Sequence, residues 1–224
     1  MIVNDQRYLD QLRAVATVLW VIVVLMYVAI AVTGFRVWVQ GFDDQALTWA
    51  VDADVDPLVS VAKAASFIGS SVIMVPFMIL VAGYLLWKKR MTATVFWVSA
   101  LAVSAALTWI SKFAYARPRP PMALVQTHGY SFPSGHADTA ATVAVGIVLL
   151  LAIRGSRHWY WWALAVAYIV TISWSRIYLH AHWFSDVLAG AALGAAVVIA
   201  GLLIILSLER RDRLPIQDHP DEAT

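Results

Sequence analysis

Three short stretches hold nearly all the residues whose types and spacing could do chemistry. The first is Lys112 with Arg117-Pro118-Arg119-Pro120-Pro121, and the second is Phe132-Pro133-Ser134-Gly135-His136. The third is Ser175-Arg176 with His180, His182 and Asp186. Lys112, Arg119 and Arg176 supply three cations, suited to a multiply charged oxyanion that guanidinium forks grip through paired hydrogen bonds. Ser134 stands where a helix would start, and Pro133 stops that helix from extending backwards. Gly135 lets the first amides approach an anion, aided by the helix dipole. His182 and Asp186 are spaced i,i+4, on one face if the turn is regular. A carboxylate there can keep one ring nitrogen protonated and leave the other as a nucleophile. His136 is then free to give a proton to a leaving group. Together this is equipment for a phosphate ester, with no metal called for.

Other readings of the same residues stay open. His180-Ala181-His182 with Asp186 could hold a metal, although His-x-His alone supplies only two ligands. Ser134 could be a nucleophile, but no Gly-x-Ser-x-Gly pattern surrounds it. A single juxtamembrane Lys or Arg is usually an interfacial anchor. Asp43, Asp44, Asp52, Asp54 and Asp56 read as a solvated loop, in which residues 46–51 could form a short interfacial helix over the site. His128 and His219 read as solvated, and His158 as interfacial.

The elements that must position these stretches follow from composition. Of 224 residues, 61% are hydrophobic and 13% charged, against about 45–50% and 25% in a soluble domain. A soluble fold of this size could not hide so much apolar surface. With no cysteine, disulfides and thiolate chemistry are excluded, and a net charge of +2 gives no reason to expect nucleic acid. Residues 14–35, 64–87, 91–111, 158–175 and 187–208 contain no Asp, Glu, Lys or Arg, and 133–153 carries only Asp138 near its start. A helix crosses the hydrocarbon core with about 20 residues. The runs are continuously apolar rather than alternating, which excludes a barrel.

The expectation is therefore an all-α, integral membrane bundle of six transmembrane helices, a single domain over 1–208 with a mobile cytoplasmic tail over 209–224. Ten of the 16 Lys and Arg fall on the side of the two termini, so the positive-inside rule puts the termini in the cytoplasm and the three stretches on the outer face.

In order and spacing, the three stretches resemble the motifs of the type 2 phosphatidic acid phosphatase superfamily, lipid phosphatases that share their site with vanadium haloperoxidases. Lys112 with Arg119-Pro120, then Pro133-Ser134-Gly135-His136, then Ser175-Arg176 with His182 and Asp186 fit its three motifs. The resemblance covers roughly residues 105–195. Relatives often carry Gly at the position of His180.

The resemblance implies that His182 attacks phosphorus, that Asp186 orients it, and that His136 protonates the leaving oxygen. It also implies that Lys112, Arg119, Ser134, Gly135 and Arg176 hold the phosphate. It implies a lipid phosphate or pyrophosphate as substrate (undecaprenyl pyrophosphate, phosphatidic acid or phosphatidylglycerol phosphate) and a multi-pass protein of the plasma membrane. Neither metal nor cofactor is expected, and no protein partner is implied. A flippase or transporter for an anionic lipid is the rival; it would need the cations but not the oriented histidine.

Overall fold

A computed structural model describes residues 5–211, with side chains through Glu209. Eight helices account for most of it: α1 (Gln6–Ala31), α2 (Thr33–Asp52), α3 (Asp56–Ile68), α4 (Ser71–Trp87), α5 (Met91–Tyr115), α6 (Gly135–Ile153), α7 (Trp159–Tyr178) and α8 (Phe184–Arg211). There is no strand among the described residues. Five stretches are long and apolar enough to cross a bilayer: α1, the α3–α4 pair Asp56–Trp87, α5, α6, and α8 through Glu209. The chain is an all-helical, multi-pass membrane protein. Of the six expected spans, the one over 158–175 is not among these five. It forms α7, whose hydropathy is lowered by Trp159-Tyr160-Trp161-Trp162 at its start and Arg176 near its end.

Three boundaries differ from expectation. The run 64–87 is two helices, because α3 already starts at Asp56-Pro57 and the chain kinks at Gly69-Ser70 before α4. Proline in the first turn costs no hydrogen bond, which is why the helix can begin there. The acidic segment is mostly helical: Asp43, Asp44 and Asp52 lie with residues 46–51 on α2, Asp54 stands in the short connection, and Asp56 opens α3. Residues 209–211 continue α8, while the rest of the expected tail, His219 included, lies outside the described residues.

Lipid tails are as apolar as leucine, so helices in a bilayer associate by close packing more than by exclusion of water. The tightest pairing here is α6 against α8. A Cβ on Gly190 would lie 2.4 Å from the Ser134 carbonyl oxygen, and one on Gly194 would lie 2.3 Å from that of Asp138. Only glycine at both positions, one turn apart on α8, lets the backbones approach so closely. Trp97 of α5 fills the notch at Gly146 of α6, and Leu149, Val198, Ile199 and Leu202 complete a core that reaches Leu9 and Leu12 of α1. The ends of α5 and α7 and the starts of α6 and α8 thereby meet at one end of the bundle. There the Ser134 amide donates to the Asp186 carbonyl at 2.9 Å.

Candidate active site

Helix α5 ends at Ala116, a residue in the left-handed region with φ 43°. The next residues, Arg117 and Arg119, each precede a proline, which favours extended backbone. Alternate residues of an extended chain face the same side, and both guanidinium groups reach the corner formed by residues 181–186.

Arg119 donates from Nε to the Gly129 carbonyl (3.0 Å), from Nη2 to that of His128 (2.8 Å) and from Nη1 to that of Ala181 (2.7 Å). The same Nη1 lies 3.1 Å from His182 Nε2. Arginine only donates, so Nε2 is the acceptor and the ring proton sits on Nδ1. That proton faces Asp186 Oδ2 at 3.4 Å, a long contact. The Trp183 amide donates to the same oxygen at 3.0 Å. His182 thus stands just before α8 rather than on it, and Asp186 reaches back from the first turn in the manner of a capping acid. Burial pushes the His182 imidazole down to about 4, against the pull of Asp186. Neutral imidazole, with its lone pair on Nε2, is the form a nucleophile needs. Burial also lowers the pKa of Arg119, with Asp186 opposing the change.

The remaining expected residues gather around this dyad. Lys112 Nζ donates to the Tyr130 and Pro133 carbonyls, both at 2.9 Å. Ser134 is the residue before α6, but its hydroxyl caps nothing. Its buried Oγ has no hydrogen-bond partner, and neither does Nε of buried Arg176. Ser134 Oγ at the start of α6 and Arg176 Nε at the end of α7 are donors of the kind an oxyanion satisfies. Arg176 Nη1 is held by Ser66 of α3. Gly135 and His136 open α6, His136 only partly exposed.

His180 sits apart from the dyad with φ 52°, a conformation that favours glycine. Its Nδ1 is 3.1 Å from the Met122 carbonyl, so Nδ1 carries the proton. Its Nε2 is buried without a partner. His128 and His158 are exposed, His158 stacked on Tyr160.

Sequence reasoning missed one layer. Arg117 is 5% exposed and donates from Nη1 to Asp186 Oδ1 (2.7 Å) and Ser185 Oγ (2.7 Å). From Nη2 it donates to Asp43 Oδ2 (2.6 Å) and Gln40 Oε1 (2.9 Å). Asp43, expected to be solvated, is 1% exposed. Its place on α2 turns it inward, where Arg117 and the first turn of α8 compensate its charge. The Arg-Pro-Arg-Pro doublet was a signal for Arg117; nothing marked Asp43 or Ser66.

The sequence profile of the PAP2 superfamily matches residues 93–210. The chain is 33% identical over 118 residues to undecaprenyl-diphosphatase of Sulfolobus acidocaldarius, covering 50% of this chain and 54% of that one. It is 30% identical over 162 residues to phosphatidylglycerophosphatase B of Bacillus subtilis, covering 67% and 77%. In three dimensions it is similar to the crystal structure of the first transmembrane PAP2 type phosphatidylglycerolphosphate phosphatase from Bacillus subtilis. That match has a TM-score of 0.72 at 22% identity over 90% of this chain and 98% of that one, a likeness of fold.

Proposed function

The chain belongs to the PAP2 superfamily, and on that premise we propose that it is a membrane lipid phosphatase working through a phosphohistidine at His182. The observation that carries this reading is the dyad: a buried neutral imidazole with Nε2 turned to Arg119 and Nδ1 to Asp186. A protein that only binds an anionic headgroup needs Arg119 but has no use for an imidazole oriented by a carboxylate.

In the proposed reaction, a phosphate oxygen takes over Arg119 and uncovers Nε2. The Nε2 lone pair attacks phosphorus while the bond to the leaving oxygen breaks, and that oxygen takes a proton from protonated His136. A water then returns a proton to His136 as its oxygen attacks the phosphohistidine, releasing inorganic phosphate and restoring His182. Lys112, Arg119, Arg176, Ser134 and the amides at Gly135 stabilise the equatorial oxygens, so that positioning and charge do most of the work.

The substrate is a lipid phosphate or pyrophosphate, with an isoprenyl pyrophosphate proposed first. The relatives' names span both chemistries. Placement on the outer leaflet of the plasma membrane, where a spent isoprenyl carrier is released, favours the pyrophosphate. That placement takes α7 as a sixth crossing, returning the chain from the end of α6 to the start of α8 with its aromatic cluster at the interface. A cysteine at exposed Gln126 should then react with an impermeant maleimide in intact cells, and labelling only after lysis would reverse the orientation.

The functional test is phosphate release from pure isoprenyl pyrophosphate, phosphatidic acid and phosphatidylglycerol phosphate in detergent. Turnover should survive EDTA and be inhibited competitively by vanadate, whose five-coordinate adduct mimics the in-line transition state. Release from none of the three lipids, or a strict need for a divalent ion, would contradict the reading.

A further inference from the structure

We propose that Arg117 and Asp43 are positioning residues for the dyad, and that Asp43 preserves the negative charge Asp186 presents to His182 by drawing off half of the Arg117 fork. The proposal deepens the phosphohistidine reading and rests on it.

Its geometric basis is a connected set of five side chains on three elements, all buried but Gln40. Arg117, from the loop after α5, spends one guanidinium nitrogen on Asp186 and Ser185 of α8 and the other on Asp43 and Gln40 of α2. Asp43 in turn accepts from the Ser185 amide at 2.8 Å and from Ser185 Oγ at 2.7 Å. It therefore caps the start of α8 from a different helix, filling the place a residue before Phe184 would normally take. Asp186 sits one residue further along the same turn. Its carboxylate is fixed from both sides: Oδ1 by Arg117, and Oδ2 by the Trp183 amide and the His182 ring.

Charge counting then assigns Asp43 a role beyond docking. Arg117 with Asp186 alone would be a neutral pair, and a neutralised carboxylate holds an imidazole N–H weakly. With Asp43 included, one positive charge serves two carboxylates and the set keeps one net negative charge. As Nε2 bonds to phosphorus, positive charge spreads through the ring to Nδ1, and that residual negative charge is what meets it. Asp43, Asp186 and Arg117 are at most 5% exposed on their side chains, so water screens the effect little. A buried ion pair is weak support for stability as such. Docking α2 would moreover require no contact to Asp186, yet the fork is divided between the two acids.

The test uses the full chain in detergent micelles with dioctanoyl phosphatidic acid and farnesyl pyrophosphate as probes. Asp43→Asn keeps the shape and an oxygen for the Ser185 amide but removes the charge. We expect kcat to fall roughly 10- to 100-fold, the loss typical when an outer-shell partner of a metal-bound histidine is removed, with KM little changed. The acid limb of kcat/KM should also move. His182 faces Asp186 from α8, Arg119 from the loop after α5, Arg176 from α7 and His136 from α6. All four stay in place while Asp186 is neutralised by an undivided Arg117. Imidazolium is then less favoured, so the limb shifts to lower pH; the probes' own titration is common to both proteins. Combining Asp43→Asn with Arg117→Gln leaves Asp186 alone with one negative charge, so the limb should return towards its original place. This double variant buries no unpaired cation and remains informative if Asp43→Asn does not fold.

Unchanged kcat in Asp43→Asn would overturn the proposal. So would a fall in active fraction and melting temperature with the limb unmoved, since that is loss of docking alone. A limb in the double variant that stays with the single variant, or stays unmoved throughout, would overturn it as well. A wild-type chain inert on both probes would instead break the phosphatase reading itself.

Discussion

The two halves of the molecule have similar apolar composition and opposite surroundings. In α6 67% of the most apolar window is buried inside the protein and in α8 50%, whereas in α1 the share is 17% and in α3–α4 22%. Helices α5, α6 and α8 pack on one another through glycine notches at Gly146, Gly190 and Gly194, and with α7 they carry the expected dyad and cations at their facing ends. Helices α1–α4 show most of their side chains to the surroundings, with Val18, Leu25, Ile79 and Leu80 all exposed. The outer half nevertheless reaches the site through single polar side chains: Asp43 and Gln40 against Arg117, and Ser66 against Arg176. The outer half is thus largely exposed, and its few buried polar residues are the ones that touch the arginines of the other half.

That contrast can be broken by substitution, the largest effect being expected in the inner half. His136→Ala should lower kcat by about 10²–10⁴-fold on phosphatidic acid, where an alkoxide leaves and general acid catalysis matters most. The loss should be smaller on an isoprenyl pyrophosphate, which expels a phosphate monoester. Equal losses on the two substrates would remove His136 from the role of acid.

Next comes Gly190→Ala, whose new Cβ meets the Ser134 backbone, a contact no side-chain rotation relieves. Overpacking of this kind costs about 1–3 kcal/mol, visible as a lower melting temperature in detergent. Its counterpart Gly83→Ala on α4, where a Cβ meets nothing within 4 Å, should stay within about 0.5 kcal/mol. Similar shifts in the two variants would erase the distinction between the halves.

A smaller effect is expected from Ser66→Ala. Arg176 keeps its charge and loses a hydrogen bond of the charge-assisted kind, worth about 1.5–3 kcal/mol when buried. KM should rise roughly tenfold, each 1.4 kcal/mol being a factor of ten, with kcat less affected. An unaltered KM would show that α3 does not position Arg176.

The smallest response concerns acid. Burial holds the folded His182 pKa near 4, below the ordinary value of about 6.5. The neutral ring is thus retained until pH falls through the folded value. As far as His182 is concerned, kcat/KM should hold from pH 7 to pH 5 and drop below that. A limb set by His182 near 6.5 would mean an exposed ring.

The same contrast explains what the sequence made legible. Chemistry requires fixed residue types at fixed separations, so Lys112, Arg119, His136, His182 and Asp186 could be picked out, and the structure brings their segments to one end. Uncharged intervals located the apolar helices because a bilayer demands length and composition. They missed the kink at Gly69-Ser70, which adds no charge to the run, and the extent of α2, whose charges interrupt any uncharged run. Asp43 was illegible for a physical reason: four of the five acids in 43–56 are not buried and one is, and only the three-dimensional approach of Arg117 tells them apart. Gly190 and Gly194 likewise show their purpose only when α6 is laid against α8.

The central claim is that His182 becomes phosphorylated, and the most direct measurement is trapping of the covalent intermediate. The full chain is mixed with an isoprenyl pyrophosphate radiolabelled in its terminal phosphate, quenched in denaturant at alkaline pH, where phosphohistidine survives, and mapped by peptide. The account predicts alkali-stable label on the peptide containing His182. It predicts accumulation of that label in His136→Ala, where water is no longer activated, and no label in His182→Ala. Label that persists in His182→Ala, or that maps to Ser134, would contradict it.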